Sequence, residues 1–347
     1  MNYLVIPAYE PDYNLIKLIE KIHNRSDFYI IVIDDGSSAE CQDIFARAAN
    51  FATVLRHQVN QGKGQALKTA FEYIQSLNMP GTVVTADADG QHRIWDIFRS
   101  LTKSNENPNT LVLGVRAFTG KVPLRSRFGN SLTRILFKLQ TGVAVSDTQT
   151  GLRAFSTDMI PFMLKIEGQR YEYEMNMLLE ASQAYPILEV PIETVYINDN
   201  AASHFRPVRD GLMIYKNILK FALSSFSSFI VDYVVYALSI LCLSFIPTGL
   251  RVLLSNGLAR VTSSIFNFST NKKLVFKNKA SSLKTGSGYF GLAIGLFILD
   301  TILIRLFNSG LGVDLLIAKI LVGIMLFILS WTVQTRFIFK ERTCSPL

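Results

Sequence analysis

Two acidic residues in the N-terminal half of the chain have a spacing that could bind a metal ion. The segment TVVTADADGQH covers residues 82–92 and places Asp87 and Asp89 after a β-branched apolar run, followed by Gly90 and Gln91. The run predicts a buried strand, and the glycine predicts its end. Two carboxylates and an amide oxygen are ligands that hard cations such as Mg²⁺ or Mn²⁺ prefer. An acidic turn that caps the next helix is an equally good interpretation of these residues alone.

The elements around this segment alternate between strands and helices. Apolar runs predict strands at 3–11, 28–38, 53–57 and 82–86, and helical spacing predicts helices at 13–23, 39–50 and 60–74. This alternation favours an α/β doubly wound fold with a parallel sheet. Ligands of such sheets bind at the carboxyl ends of the strands, so Pro7–Tyr9, Asp34–Gly36 and Asp87–Gln91 are expected to line one crevice.

A glycine-rich loop precedes the helix predicted at 60–74. Gly62 and Gly64 flank Lys63 in the string NQGKGQALKTAF, and backbone N–H groups with a lysine at a helix N-terminus can bind a phosphate. The string matches neither a Walker loop nor the dinucleotide fingerprint. A tight turn that leads into the helix explains the glycines as well.

The composition changes after residue 210, which predicts two domains in this 347-residue chain. Residues 208–220 mix apolar and basic side chains, as in an amphipathic helix at a membrane interface. Long apolar runs then predict four transmembrane spans, at about 221–246, 252–272, 287–307 and 313–335. The expected organisation is a first domain over 1–207, the interfacial helix over 208–220, a membrane domain over 221–340 and a tail over 341–347.

Charges and cysteines limit the possible compartments and partners. Basic residues between the second and third spans, and after the fourth, place the first domain and the tail in the cytoplasm by the positive-inside rule. The N-terminus lacks the features of a secretory signal peptide, which agrees with this orientation. The net charge of +8 accompanies no nucleic-acid motif, so no nucleic acid is expected. Cys41, Cys242 and Cys344 are too scattered for a disulfide framework or a zinc site.

Several motifs together resemble one enzyme family. PAYEP, IVIDDGSS, NQGKGQALKTAF and DADGQH, with SDTQTGLRAFS at 146–156 and YEYEMNMLLEA at 171–181, resemble family 2 glycosyltransferases of the dolichyl- and undecaprenyl-phosphate mannose or glucose synthase type. This resemblance covers about residues 1–210 and implies a GT-A-like fold. NFSTNKKLVF at 267–276 and the four-span pattern resemble the GtrA-like membrane family, which is proposed to help move or present polyprenyl-linked sugars.

The resemblance implies roles for individual residues. Contacts with the nucleotide sugar are expected from Pro7, Ala8, Tyr9, Glu10, Asp34, Asp35, Lys63, Asp87, Ala88 and Arg206. A metal ion, Mg²⁺ or Mn²⁺, would be held by Asp87, Asp89 and Gln91 and would neutralise the diphosphate leaving group. Arginine forks match phosphate oxygens, so the candidates for the acceptor phosphate are Arg116, Arg125 and Arg127, with Ser131. The predicted catalytic residues are Asp89, Arg116 and Arg127.

The membrane half repeats itself. FIVD at 229–232 recurs as FILD at 297–300, and FNFSTNKKLVFK at 266–277 recurs loosely as LSWTVQTRFIFK at 329–340, which suggests two tandem hairpins. Asp232 and Arg260 fall at similar depth, and so do Asp300 and Lys319. Because unpaired charges in a bilayer are costly, two ion pairs are expected, within or between hairpins. They either hold the helices together or line a polar path for a lipid-linked sugar phosphate.

The expected activity is the inverting transfer of a single hexose from a nucleoside diphosphate hexose, such as UDP-glucose or GDP-mannose, to polyprenyl (undecaprenyl or dolichyl) phosphate at the lipid bilayer. The acceptor phosphate is already an anion, so its attack needs no strong general base. A processive polysaccharide synthase is a competing interpretation, but neither Trp95 nor Trp331 lies in a Q-x-x-R-W motif. A transporter whose soluble half serves only to regulate transport is a second competing interpretation. The sequence is compatible with a homo-oligomer and does not determine the oligomeric state.

Overall fold

The computed structural model describes residues 1–116, 133–135, 137–193, 216–245, 247–276, 278, 281–313 and 315–339. These residues form two compact units, one before residue 194 and one after residue 215. The interfacial helix expected over 208–220 lies mostly outside the described residues, and the tail 341–347 lies entirely outside them.

The first unit alternates strands and helices, as its apolar periodicity predicts. Its strands are β1 (Asn2–Ala8), β2 (Phe28–Asp34), β3 (Thr53–Arg56), β4 (Thr82–Thr85), β5 (Leu111–Arg116), β6 (Arg153–Ser156) and β7 (Ile187–Ile192). Its helices are α1 (Asn14–His23), α2 (Gln42–Ala48), α3 (Lys63–Leu77), α4 (Ile94–Glu106), α5 (Ile160–Lys165) and α6 (Glu172–Ala184). Each element predicted before residue 87 overlaps an observed one.

The strands form one sheet in the order β3-β2-β1-β4-β6-β5-β7. β6 is antiparallel to both of its neighbours, and the other pairs are parallel. The prediction of a parallel sheet is therefore wrong for β6, because the sheet is mixed. A strand with both faces buried has the same apolar pattern in either direction, so hydrophobicity does not reveal which way it runs.

Helices cover both faces of the sheet. Tyr3 and Val5 of β1 point to one face and pack with α3, α5 and α6, whereas Leu4 and Ile6 point to the other face and pack with α1, α2 and α4. Neighbouring residues of a strand face opposite sides, which explains this division. The two-sided core fixes the strands, so their carboxyl ends form a rigid edge.

The second unit contains four long helices: α7 (Lys216–Cys242), α8 (Thr248–Thr270), α9 (Ser282–Arg305) and α10 (Leu315–Val333). They overlap the four predicted spans. Within the described residues, however, two segments are long and apolar enough to cross a membrane by themselves, Ile218–Cys242 and Leu321–Ile338, rather than four. Arg260 and Asn267 interrupt the apolar sequence of α8 but not the helix itself. The apolar part of α9 is shorter than the roughly 20 residues that a bilayer requires.

Equivalent aromatic contacts link the two sequence repeats of this unit. Counted from the repeated motifs, Phe221 corresponds to Tyr289, and Phe268 corresponds to Trp331. The ring of Phe221 lies 5.1 Å from that of Trp331, and the ring of Tyr289 lies 5.5 Å from that of Phe268. This reciprocal packing indicates that the two hairpins make equivalent aromatic contacts with each other.

The ion pair expected in the first hairpin is confirmed. Arg260 Nε lies 3.8 Å from Asp232 Oδ1, and Ser263 Oγ donates a hydrogen bond to the same oxygen at 2.9 Å. The side chains of Asp300 and Lys319 lie outside the described part of the chain, so the second pair stays a prediction.

Candidate active site

The carboxyl ends of parallel strands meet at one edge of the sheet. Ala8 pairs with Asp34, and Asp34 pairs with Arg56. β4 lies beside β1 and ends at Thr85, so Asp87 follows at the same edge. The segments predicted from the sequence to meet in one crevice therefore share this edge.

Lys63 holds two carboxylates together at this edge. Its Nζ donates to Asp87 Oδ1 at 2.7 Å and to Glu174 Oε1 at 2.8 Å, and its side chain is 18% exposed. His92 Nε2 lies 3.3 Å from the other oxygen of Asp87. Burial favours the neutral form of each group, but the two carboxylates outweigh it and raise the pKa of Lys63. Lys63 and His92 likewise outweigh burial and lower the pKa of Asp87. Lys63 and Asp87 are therefore charged at neutral pH.

Asp89 has an environment that suits a divalent cation. Its Oδ1 accepts the backbone N–H of Gln91 at 3.0 Å. Burial first, and then the negative charge of Asp87, raise the pKa of Asp89. A cation between the two carboxylates would relieve this repulsion, and their oxygens, with the amide oxygen of Gln91, are a hard donor set. The described residues contain no group of three or more His, Cys, Asp or Glu side chains placed to hold a metal. The remaining ligands would come from the substrate or water.

Asp35 anchors the glycine-rich loop that carries Lys63. Its two oxygens accept the backbone N–H groups of Gln61 at 2.9 Å and Gly62 at 2.8 Å. His57 Nδ1 lies 2.7 Å from the same carboxylate. Gly62 has a φ of +102°, which a residue with a side chain rarely adopts. Asp35 therefore positions the loop, and its predicted contact with the nucleotide stays a prediction.

Glu10 connects the loop after β1 to the loop after β2. Its carboxylate accepts hydrogen bonds from the backbone N–H of Ser38 at 2.8 Å and from Ser38 Oγ at 2.9 Å, and it lies 3.2 Å from Cys41 Sγ. Burial, and then the contact with Glu10, raise the pKa of Cys41 to about 11, so this thiol is protonated at neutral pH. The contacts stiffen the rim of the edge. The predicted contact of Glu10 with the nucleotide sugar stays a prediction.

Arg116, at the end of β5, binds a buried acid. Its Nε donates to Asp147 Oδ2 at 2.6 Å and its Nη2 donates to Oδ1 at 3.0 Å. Asp147 is fully buried and also accepts the backbone N–H of Gln149. Two parallel hydrogen bonds fix the plane of the guanidinium. β5 runs in the same direction as β4, since both are antiparallel to β6, so Arg116 lies at the same edge as Asp87.

The other predicted nucleotide contacts lie at the ends of β1, β2 and β4. Asp34 is buried. Its Oδ1 accepts a hydrogen bond from the backbone N–H of Ser37 at 2.8 Å, and its Oδ2 lies 3.2 Å from Arg56 Nε. Tyr9 is exposed. The remaining positions at this edge are Pro7 and Ala8, which end β1, and Ala88, which is half-buried between the two acids. Four predicted residues lie outside the described part of the chain, namely Arg125, Arg127, Ser131 and Arg206.

Two protein-family models match the chain. Residues 3–160 match glycosyl transferase family 2, and residues 220–339 match the GtrA/DPMS transmembrane domain. The first match contains Lys63, Asp87 and Asp89, and the second contains most of the four long helices. The chain is a family 2 glycosyltransferase with a GtrA/DPMS transmembrane domain. The resemblance seen in the sequence motifs is thereby confirmed.

Curated relatives of this glycosyltransferase come from archaea and bacteria. An uncharacterised protein of Methanocaldococcus jannaschii is 26% identical over 224 residues, which are 63% of this chain and 91% of that protein. The UDP-N-acetylglucosamine–dolichyl-phosphate N-acetylglucosaminyltransferase of Methanococcus voltae is 29% identical over 215 residues, 56% of this chain and 85% of that protein. The undecaprenyl-phosphate 4-deoxy-4-formamido-L-arabinose transferase of Pseudomonas syringae is 30% identical over 171 residues, 46% of this chain and 49% of that protein.

The glycosyltransferase domain contains site residues that the sequence reasoning missed. Glu174 and His92 contact Lys63 and Asp87 respectively, and Asp147 orients Arg116. Of these three residues, only Glu174 has a sequence feature that points to the site, because it is an acid in the first turn of a helix within a recognised motif. A charge at that position also stabilises a helix N-terminus, so the pattern alone does not distinguish the two roles.

Gly151 makes room for the Asp87 carboxylate. A Cβ atom at residue 151 would lie 2.5 Å from Asp87 Oδ2 and 2.6 Å from Oδ1. We expect Gly151→Ala to displace this carboxylate from Lys63 and His92 and to lower kcat/KM about 100-fold, since small misplacements at a site cost this much. The comparison is Gly323→Ala, where a Cβ meets nothing within 4 Å. Equal kcat/KM for the two variants would contradict the assigned position of Asp87.

Proposed function

We propose that this glycosyltransferase transfers a single hexose from a nucleoside diphosphate hexose to a polyprenyl phosphate. The main support is the cluster of Lys63, Asp87 and Glu174 beside Asp89 at the carboxyl edge of the sheet. The chain joins this cluster to a unit with helices of bilayer length. Two relatives are named as transferases to dolichyl phosphate and undecaprenyl phosphate, which supports a polyprenyl phosphate acceptor.

The donor would bind along the edge formed by β1, β2 and β4. Tyr9 and Asp34, at the ends of β1 and β2, would contact the nucleoside, as the family motifs imply. The anchored loop at Gly62 brings the N-terminus of α3 and its partial positive charge to the same edge. Lys63 adds an ammonium group there, which two carboxylates hold in place and balance, so the cation held by Asp87 and Asp89 would supply the excess positive charge. These features suit a diphosphate that must be oriented before transfer.

The acceptor phosphate would act as the nucleophile itself. One of its oxygens forms a bond to the anomeric carbon, while the bond from that carbon to the diphosphate oxygen breaks and the electron pair leaves with the nucleoside diphosphate. The second ionisation of a phosphate monoester has a pKa of about 6, so no proton has to be removed at neutral pH. Direct displacement inverts the anomeric configuration. Arg116, preoriented by Asp147, would bind a phosphate oxygen, as would Arg125, Arg127 and Ser131.

A divalent cation fits this site. Asp87, Asp89 and Gln91 would hold Mg²⁺ or Mn²⁺, and the ion would neutralise charge on the departing diphosphate. Lys63 and His92 each contact one oxygen of the Asp87 carboxylate, which limits its rotation. The negative charge of Asp87 beside Asp89 favours binding of a cation between them.

The chemistry of the acceptor would limit transfer to one sugar per lipid. Only the phosphate of the lipid attacks, so the product lacks the group that a second transfer would need. By the positive-inside rule, the basic residues that follow α8 and α10, including Lys272, Lys273 and Arg336, favour a cytoplasmic position for those helix ends and for the catalytic domain. The product would then serve glycosylation on the opposite face of the membrane. A processive synthase and a transporter with a regulatory first unit are the alternative functions.

The test is a transfer assay with a panel of donors. The protein in detergent is incubated with undecaprenyl or dolichyl phosphate, Mg²⁺ or Mn²⁺, and labelled UDP-glucose, GDP-mannose or UDP-N-acetylglucosamine. We expect at least one donor to give a label that partitions into the organic phase and that is lost when EDTA removes the metal. Absence of organic-phase label with every donor would contradict the proposed function.

A further inference from the structure

Arg153 is a buried charge beneath the candidate active site. It lies on β6, where it pairs with Thr85 at the end of β4, and its side chain is 1% exposed. Asp87 follows Thr85 by two residues, so Arg153 lies close to the edge that carries the predicted metal ligands. Arginine is almost never fully buried unless it is paired. Its contacts are therefore informative.

Two hydrogen bonds fix the guanidinium of Arg153. Nε donates to the carbonyl oxygen of Thr150 at 3.1 Å, and Nη1 donates to the carbonyl oxygen of Glu174 at 2.6 Å. Thr150 precedes Gly151, the residue against which the Asp87 carboxylate lies. The guanidinium is thus held between the loop beside Asp87 and the first turn of α6.

The contacts of Arg153 are not those of a group that serves folding alone. Both acceptors are backbone carbonyl groups rather than carboxylates, and Nη2 has no hydrogen-bond partner in the described part of the chain. A buried charge without an adjacent counter-charge and a buried donor without an acceptor both cost free energy of folding. An apolar side chain would be more favourable for folding at this position, so the charge is expected to serve the site.

The charge of Arg153 acts on the acids of the site at longer range. Burial lowers its pKa, and electrostatic interactions, with Glu174 foremost and with Asp147 and Asp87 further away, oppose this shift. An arginine stays protonated in proteins. Because the interior screens charges less than water does, a fixed positive charge there is felt by the neighbouring acids.

The charge balance of the site depends on Arg153. Two cations, Lys63 and Arg116, are bonded to acids of the site. The acids number four, namely Asp87, Asp89, Asp147 and Glu174. Without Arg153, a divalent cation would neutralise the excess of two negative charges and no more. With Arg153, the same cation leaves the site with one positive charge in excess, which favours an anionic diphosphate.

We propose that Arg153 is a positioning residue that makes the cation-loaded site positive. It opposes cation binding in the free protein, because like charges repel each other. It strengthens binding of the nucleoside diphosphate once the cation is present. Arg153 does this from beneath the acids, without touching the substrate. The proposal rests on the proposed function, in that the diphosphate belongs to the donor of that reaction.

The test measures both equilibria in the full chain in detergent, without acceptor lipid. Mn²⁺ binding is followed by the loss of the electron paramagnetic resonance signal of free Mn²⁺, and binding of UDP and of GDP is followed by calorimetry with Mn²⁺ in excess. We expect Arg153→Met to lower the dissociation constant for Mn²⁺ about threefold or more, and to raise that for the diphosphate by a similar factor. Loss of a residue that only stabilises the fold would weaken both.

Matched variants identify the buried charge as the cause. Arg153→Lys keeps the charge and should leave both dissociation constants within about twofold of their original values. Arg47→Met removes the same charge from an exposed position on α2 and should change neither. If Arg153→Met fails to fold, Arg153→Gln removes the charge but retains an amide donor for a carbonyl oxygen, and it should shift the two constants in the same opposed directions.

Any result other than opposed shifts in a folded neutral variant would overturn the proposal, as would a lack of Mn²⁺ or diphosphate binding by the unsubstituted protein. Where neither neutral variant folds, Arg153→Lys decides, and a change of either constant beyond about twofold would overturn the proposal. Binding is measured without transfer, so the two proposals fail separately. Opposed shifts in a protein that makes no lipid-linked sugar would support the role of Arg153 and contradict the proposed function.

Discussion

Replacement of Asp89 by asparagine is expected to lower the rate of sugar transfer by about 100-fold or more, because it removes a charged ligand of the cation that neutralises the leaving diphosphate. The same change is expected to leave the unfolding temperature unchanged or to raise it. Asp89 is half-buried and is repelled by Asp87, so its charge destabilises the free protein. Activity should therefore fall without a loss of stability.

Transfer rates and unfolding temperatures of the two proteins test this expectation, with Asp43→Asn as the control. Asp43 is an exposed acid on α2 that pairs with Arg47, so its loss should change neither quantity appreciably. Full transfer activity of Asp89→Asn would contradict the assignment of the metal site. If the chain were a transporter with a regulatory first unit, Asp89→Asn would retain transport of lipid-linked sugar.

Replacement of Lys63 by methionine has the second large expected effect. It leaves Asp87 and Glu174 without the ammonium group that lies within 2.8 Å of both. Removing one partner from a largely buried ion cluster destabilises a protein by about 3 kcal/mol. Transfer should also fall by about 100-fold, because Lys63 orients Asp87 and contributes positive charge near the diphosphate. Chemical denaturation and the transfer assay measure the two effects separately.

A double variant separates the structural and functional roles of Lys63. Lys63→Met with Glu174→Gln removes one of the two unpaired acids, so it should regain part of the free energy of unfolding while transfer stays low. Lys68→Met on the same helix is the matched control, since Lys68 lies over the ring of Tyr173 and contacts neither acid in the cluster. Recovery of transfer in the double variant would show that Lys63 serves only to balance Glu174.

The sequence predicts the edge of the sheet well because the relevant signals are local. Apolar runs followed by Asp34 and by Asp87 mark two strand ends, and a fold of alternating strands and helices brings such ends together. The direction of β6 is not predictable in this way, since burial on both faces gives no directional pattern. The pairing of Lys63 with Glu174 is not predictable from local patterns either, because it joins the first turns of two helices about 110 residues apart in sequence.

In the membrane half, the sequence predicts the Asp232–Arg260 pair better than the number of spans. Asp232 and Arg260 stand out because charge within an apolar run requires a partner, and the structure places them 3.8 Å apart. The number of spans depends on thresholds of length and polarity, and α8, which carries Arg260 and Asn267 within its apolar run, is not among the segments that pass them.

Mass analysis of the lipid product tests the central claim most directly. Undecaprenyl phosphate, the cation and the donor that proves active are incubated with the protein, and the organic phase is examined by mass spectrometry. We expect a single new species, heavier than undecaprenyl phosphate by one glycosyl residue, and no such species from undecaprenol or from the Asp89→Asn protein. Products that carry several sugars, or sugar transfer to undecaprenol, would contradict the assignment of this chain as a polyprenyl-phosphate glycosyltransferase that adds one sugar.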